Sequence, residues 1–421
     1  MLRWLLTVSA FALASPAFAE NWPQWRGPRN DGTSTEKNLP SEWTETKNVV
    51  WKLKMPGPGA ATPCIWDDKI FLTAVEGEKL VVFCVGTDGK EKWKKPIGAG
   101  NKSARADEGN SASASCSTDG KLVFAFVGDG TLAAFTLDGE PKWSIDTQKT
   151  YGKYRIQFGA HWTPVLHKDR LYFTLMHQDA QQILCLKAAT GELDWKAPRV
   201  SDSPKGTESA DVYCSPFIWQ KADNALLIVH GNDYCTAHSL KDGSEVWRVT
   251  GLNPKDKYNR AWRAVSSPLV TADLIVVPSC KNGVTVGIDP NKAKGDIGPG
   301  HPAELWRHTK NTSDVPSPLL AEGVLYIWKE KSSLMAYKPL TGEPIYSENL
   351  TNERQRANPV YGDGKLYLVG REGSMAVVKA GEIFEQVSKI KLPDVFTASP
   401  AISGGRVYLR GFDYLWAIGA K

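Results

Sequence analysis

Residues Ala188 to Trp195 read AATGELDW, a turn dipeptide with a tryptophan four places after its glycine, and the phrase recurs. TDGKEKW ends at Trp93, LDGEPKW at Trp143 and KDGSEVW at Trp247. Upstream of Trp195 runs HWTPVLHKDRLYFTLMHQDAQQILCLKAATGELDW, in which short apolar, partly alternating runs are separated by polar turn residues. That pattern reads as four strands in a meander, with the Thr-Gly turn before the fourth. A second marker opens each unit, a small or polar residue followed by proline: Thr62-Pro63, Thr163-Pro164, Ser215-Pro216, Ser267-Pro268, Ser317-Pro318, Asn358-Pro359 and Ser399-Pro400. An eighth unit lacks the proline; aligning SASASCSTDGKLVFAFV with GAATPCIWDDKIFLTAV puts Ser115 in its place.

Successive markers are spaced 41 to 52 residues apart. Four-stranded units at that period are propeller blades, because each blade can bury its faces only against its neighbours. Eight starts predict an all-β, eight-bladed propeller of four-stranded antiparallel blades. The last unit, TASPAISGGRVYLRGFDYLWAIGAK, holds only three strands, and NVVWKLKM near the start is a lone strand carrying Trp51. The two halves should complete one blade and hide a sheet edge. The expected organisation is a signal peptide over 1–19, an extension over 20–48 and one propeller domain over 49–421. In this scheme Trp51, Trp93, Trp143, Trp195, Trp247 and Trp306 belong to outer strands and pack against the adjoining blade, with the glycine of each phrase permitting the turn.

Composition agrees with a large core: 42% apolar residues, 23% charged and 16 Trp in 421 residues. The first 19 residues have the form of an export signal, with Arg3, an apolar stretch from Trp4 to Ala14, and Ala17-Phe18-Ala19 before Glu20. No cysteine follows the cleavage point, so the mature protein is expected in the periplasm or outside the cell without a lipid anchor, and with no membrane span. Without the signal the chain carries 50 basic and 46 acidic residues, a formal charge of +4 with no basic block, which argues against nucleic acid as a partner. The seven cysteines include no Cys-x-x-Cys and no adjacent pair. They read as mostly buried thiols, with one or two bridges left open.

With these features in place, the chain resembles the pyrroloquinoline quinone (PQQ) repeat propellers. These include the quinoprotein alcohol dehydrogenases and the propeller lipoprotein of the bacterial outer-membrane assembly machine. It is most similar to secreted PQQ-like proteins of planctomycete type, in NWPQWRGPRNDGTSTEKNLPSEW at the start, VPSPLL and AVVKAG within, and VYLRGFDYLWAIG at the end. In the enzymes of that fold the resemblance implies a quinone stacked on tryptophan, a Ca²⁺ ion, a carboxylate base and an adjacent Cys-Cys disulfide. This sequence has no such cysteine pair, no Cys-x-x-Cys-His and no long roofing insertions, so no catalytic residue carries over. The expectation is a secreted, non-catalytic binding or scaffold propeller, acting as a monomer without a cofactor. The alternative is a quinone- and Ca²⁺-dependent alcohol or sugar dehydrogenase with a degenerate site.

Loops entering the innermost strands of a propeller converge on one mouth of its channel. Counting back from the markers places Arg155, His161, Trp162, Asp211, Trp262, Arg263, Asp314 and Arg356 near that rim. Two readings follow: a network of ion pairs, or a funnel for an anionic or carbohydrate-like ligand, or for a protein partner, held by the arginines with stacking on Trp162 or Trp262.

Overall fold

The computed structural model describes residues 19–103, 109–331 and 333–420, and almost all of the predicted signal peptide lies outside them. Eight sheets, each built on four antiparallel strands, make up the ring, and one of them carries a short fifth strand. Blade 3 is typical, with strands Val165–His167, Arg170–His177, Ala180–Lys187 and Leu193–Pro198 in that spatial order. The eighth sheet closes the ring as expected: Val49–Lys54 pairs antiparallel with Tyr414–Ile418 outside the last three strands. No helix among the described residues is long and apolar enough to cross a membrane. All seven cysteines are buried and free.

The recurring phrase is a docking device of two parts. The indole N–H of Trp51 donates to the Thr87 carbonyl of the next blade at 2.8 Å, that of Trp93 to Leu137 at 2.9 Å, and that of Trp143 to Ala188 at 2.9 Å. Trp195 reaches Leu240 at 3.1 Å and Trp306 reaches Pro339 at 2.8 Å in the same way. Each ring covers the glycine of its neighbour's phrase, so that a Cβ on Gly191 would come within 2.7 Å of the Trp143 ring and one on Gly243 within 2.5 Å of the Trp195 ring. Both glycines also have φ above 70°, where a side chain is strained. The glycine thus serves twice, once for its own turn and once for the neighbour's tryptophan. Truncation of the partly buried Trp195 to Ala should cost about 3 kcal/mol. Gly243→Ala should cost less in a Trp195→Ala background than in the wild type, because the indole it would strike is gone. Additive losses in denaturant melts would contradict the contact.

Trp247 departs from the expected pattern. The segment before Trp306 folds back as Gly295–Ile297 and pairs in parallel with Glu245–Val249, giving blade 4 a short fifth strand and burying Trp247 beside Leu252 and Ile297. Two sequence alignments shift by one residue. Cys64 pairs with Phe71 and Ser117 with Phe124, so Ser115 corresponds to Thr62, and Cys116 stands where Pro63 does. The first turn of blade 4 is Ala222-Asp223, between Lys221 and Asn224, where the sequence pattern suggests Asp223-Asn224.

The extension expected over 20–48 is a strap across one end of the ring. Trp22 exchanges backbone hydrogen bonds with Ile65 of blade 1, and the Thr118 amide of blade 2 donates to Pro23. The Trp25 ring lies 6.1 Å from Phe217 of blade 4, and the buried Arg26 guanidinium donates to Pro318 of blade 6 at 2.8 Å. Gly32 and Ser34 bond Tyr361 of blade 7, and Glu36 accepts from the amides of Gly404 and Gly405 in blade 8.

Candidate functional site

The residue before each marker proline faces the neighbouring blade at the top of the innermost strand. In six of the eight blades the side-chain oxygen at this place accepts the backbone N–H of the preceding blade's equivalent residue. Thr62 donates to Ser115 at 2.9 Å, Ser115 to Thr163 at 3.2 Å and Thr163 to Ser215 at 2.9 Å. Ser267 donates to Ser317 at 3.0 Å, Ser317 to the Asn358 amide oxygen at 2.6 Å and Asn358 to Ser399 at 3.0 Å. These six links tie consecutive blades around the channel, which explains why the marker demands a small residue with an oxygen at that place.

Two residues earlier in every blade the side chain again faces the axis, as the two-residue period of extended chain requires. The eight residues so placed are Ala60, Ser113, His161, Tyr213, Val265, Val315, Arg356 and Thr397, and all of them line the channel. Together with Phe158 and Arg263 they bound an upper cavity of about 150 Å³. His161 is bonded to the Phe158 carbonyl, and burial pushes its pKa down to about 4, so the imidazole is neutral at pH 7. Its Nε2 is buried without a partner, and so is the Thr397 hydroxyl. With the proton on the nitrogen that bonds Phe158, Nε2 presents a lone pair.

Arg263 is nearly buried. It donates to Glu208 at 2.8 Å and to Asp314 at 3.3 Å, with its guanidinium 5.2 Å from the Phe158 ring centre. Glu208 also meets Lys281 at 3.4 Å, so two carboxylates and two cations share this edge of the cavity. Arg356 lines the cavity directly and donates to the Gln355 carbonyl at 3.1 Å.

Of the eight residues expected near the rim, His161, Arg263 and Arg356 therefore come together. The others are placed elsewhere. Arg155 is half exposed and forms a bidentate pair with Asp179 at the outer hairpin of blade 3. Trp162 is fully buried between blades 2 and 3, donating to the Val212 carbonyl at 2.7 Å, and offers no face for stacking. Trp262 lines a separate small cavity beside His230 and Cys280. Asp211 is buried on Gln157 and Gln178 rather than on an arginine, and burial raises its pKa. Asp314 serves Arg263. The residues absent from the expected set are Thr397, Phe158 and Glu208.

A quinone with Ca²⁺ finds a poor donor set here. A hard divalent cation takes several oxygen ligands, commonly carboxylates, whereas the charged side chains that line this cavity are guanidinium ions, the two carboxylates at its edge are engaged by Arg263, and the imidazole offers a single neutral nitrogen. No group of three or more His, Cys, Asp or Glu able to hold a metal occurs among the described residues.

The same architecture recurs in solved structures of low identity. BamB from Moraxella catarrhalis superposes with a TM-score of 0.65 at 12% identity, over 89% of this chain and 97% of that one. Quinohemoprotein alcohol dehydrogenase from Comamonas testosteroni gives 0.67 at 13%, over 96% and 81%. A europium-containing methanol dehydrogenase gives 0.68 at 10%, over 94% and 90%. These likenesses describe the fold. No curated protein matches the chain. The PQQ-repeat family model described as outer membrane protein assembly factor BamB matches residues 34–157 and 128–297, more than half of the sequence, and the chain belongs to that family.

Proposed function

We propose that the protein is an exported, non-catalytic binding module whose site is the upper mouth of the channel, and that it takes a small hydroxyl-bearing acid, free or displayed on a partner. One observation carries this reading: two buried polar atoms without partners, His161 Nε2 and Thr397 Oγ1, share a cavity with the guanidinium of Arg356. Orphaned buried polar groups cost about 1 to 3 kcal/mol each, a debt that a ligand hydroxyl can remove. Arg263 is held by Glu208 and Asp314 at the cavity edge, and Arg356 lines the cavity itself, where a guanidinium can meet an acid group. No cofactor is part of this reading, since a cavity of guanidinium and neutral imidazole favours an anion over a metal ion. The protein needs no second copy to complete the cavity, because all eight blades of one chain wall it.

Titration calorimetry with glycerate as the probe tests the reading. Arg356→Gln should weaken binding tenfold or more, and rising salt should weaken it in the wild type by screening the long-range attraction. Lys92→Gln, on an outer strand and paired with Asp68, should leave affinity unchanged. Equal losses in the two variants, or no binding to the wild type, would overturn the assignment.

A further inference from the structure

The strap spans one end of the channel. Pro23 is bonded to blade 2 and Arg26 to blade 6, which stand opposite each other in a ring of eight, so residues 23–26 cross the axis. Trp25 rides on that crossing and lines a lower cavity of about 130 Å³. The eight axis-facing residues that wall the upper cavity wall this one too, so the two are continuous.

Their chemistry differs. Arg356 borders both and Arg263 only the upper cavity, while the lower one adds Thr62, Thr163, Ser215, Asn358 and Ser399 together with the Trp25 ring. The Thr62 hydroxyl is buried without a partner. Those of Thr163, Ser215 and Ser399 accept a backbone N–H from the adjoining blade, and each keeps its own proton to donate. Hydroxyl groups around an aromatic floor suit a short polyhydroxylated chain.

The geometry points to Trp25 as the depth stop of a blind well. The acid group of the ligand stays at Arg356, its hydroxyl-bearing tail descends toward Thr62, and the indole limits the length of that tail. The ligand class rests on the reading of the upper cavity given above; the closed floor does not.

Two measurements separate them. In calorimetry the wild type should bind glycerate at least tenfold more tightly than gluconate, whose six-carbon chain is too long for the well. Trp25→Ala should recover that tenfold for gluconate while changing glycerate by less than threefold. Independently, Thr62→Cys puts a thiol in the lower cavity, and its reaction with a small methanethiosulfonate reagent should be at least tenfold faster in Thr62→Cys/Trp25→Ala, where a second entrance opens. The native cysteines, all buried, supply the background rate. If Trp25→Ala loses the cooperative melt, Trp25→Leu carries the same comparison. An unchanged thiol rate overturns the floor, and an unchanged preference for glycerate overturns the depth stop. A faster thiol with neither acid bound by the wild type overturns the ligand class alone.

Discussion

A chain lacking residues 20–55 should fail to give a soluble, cooperatively melting monomer. The deletion removes the outer strand of the closing blade and leaves the backbone groups of Tyr414–Ile418 as a raw edge, open to pairing between molecules. It also removes the strap, and with it the fully buried Trp22, the Arg26 bond to blade 6 and the Glu36 bonds to blade 8. Repeat arrays draw their stability from neighbour contacts, and this segment is the neighbour of six blades. Size-exclusion chromatography and thermal melts should show aggregates or the loss of the wild-type transition. A truncated monomer melting as sharply and as high as the full chain would mean that the ring is held shut elsewhere.

Acid should unfold the protein before most of its carboxylates protonate. Burial holds His161 and His238 at about 4 and His230 at about 3, while in the unfolded chain all three titrate near 6.5. Between those limits the unfolded chain binds more protons, so the stability they contribute is complete above about pH 6.5 and declines as the pH falls toward 4. Each histidine forfeits about 1.4 kcal/mol per pH unit in that window, which makes the combined loss several kcal/mol by pH 5. Melting temperatures recorded from pH 7.5 to 5 should drop steeply below 6.5. His238→Gln, which removes one of the three groups, should flatten the decline. A flat profile down to pH 5 would show that these imidazoles are not held neutral.

Blade number and closure were legible because a propeller repeats one local grammar, and each marker proline of the sequence precedes an innermost strand. The single unit without proline was misplaced by one residue, since nothing local distinguishes Ser115 from its neighbours and only the pairing of Ser117 with Phe124 fixes the register. The fifth strand of blade 4 was hidden for another reason: Gly295–Ile297 is three residues long, and its partner is chosen by tertiary packing around Trp247.

The site was only half legible, although its rule is simple. Residues two and four places before the ring residues can face the axis, so His161, Tyr213, Arg356 and Thr397 fall in one layer and Arg263 in the next. Trp162 and Asp314 are an odd number of places away and turn between blades. Proximity to the marker placed both kinds near the rim; counting by twos separates the layer next to the ring, but four places out Arg263 reaches the cavity while Asp211 is drawn to Gln157 and Gln178. Chemical type misled most at Arg155, which lies eight places before Thr163, beyond the extended segment, and finds Asp179 at the surface. The strap left a different gap in the reading. Its apolar anchors, Trp22 and Trp25, are separated by two residues in a stretch without strand or helix periodicity, and its contacts are scattered along the chain from Ile65 to Gly405.

The most direct test of the channel as a binding site is a crystal structure of the protein grown with glycerate. The account predicts ligand density in the upper cavity, with a carboxylate on the Arg356 guanidinium and a hydroxyl within hydrogen-bond distance of His161 Nε2. A channel holding only water at saturating glycerate, or glycerate bound away from Arg356, would contradict it.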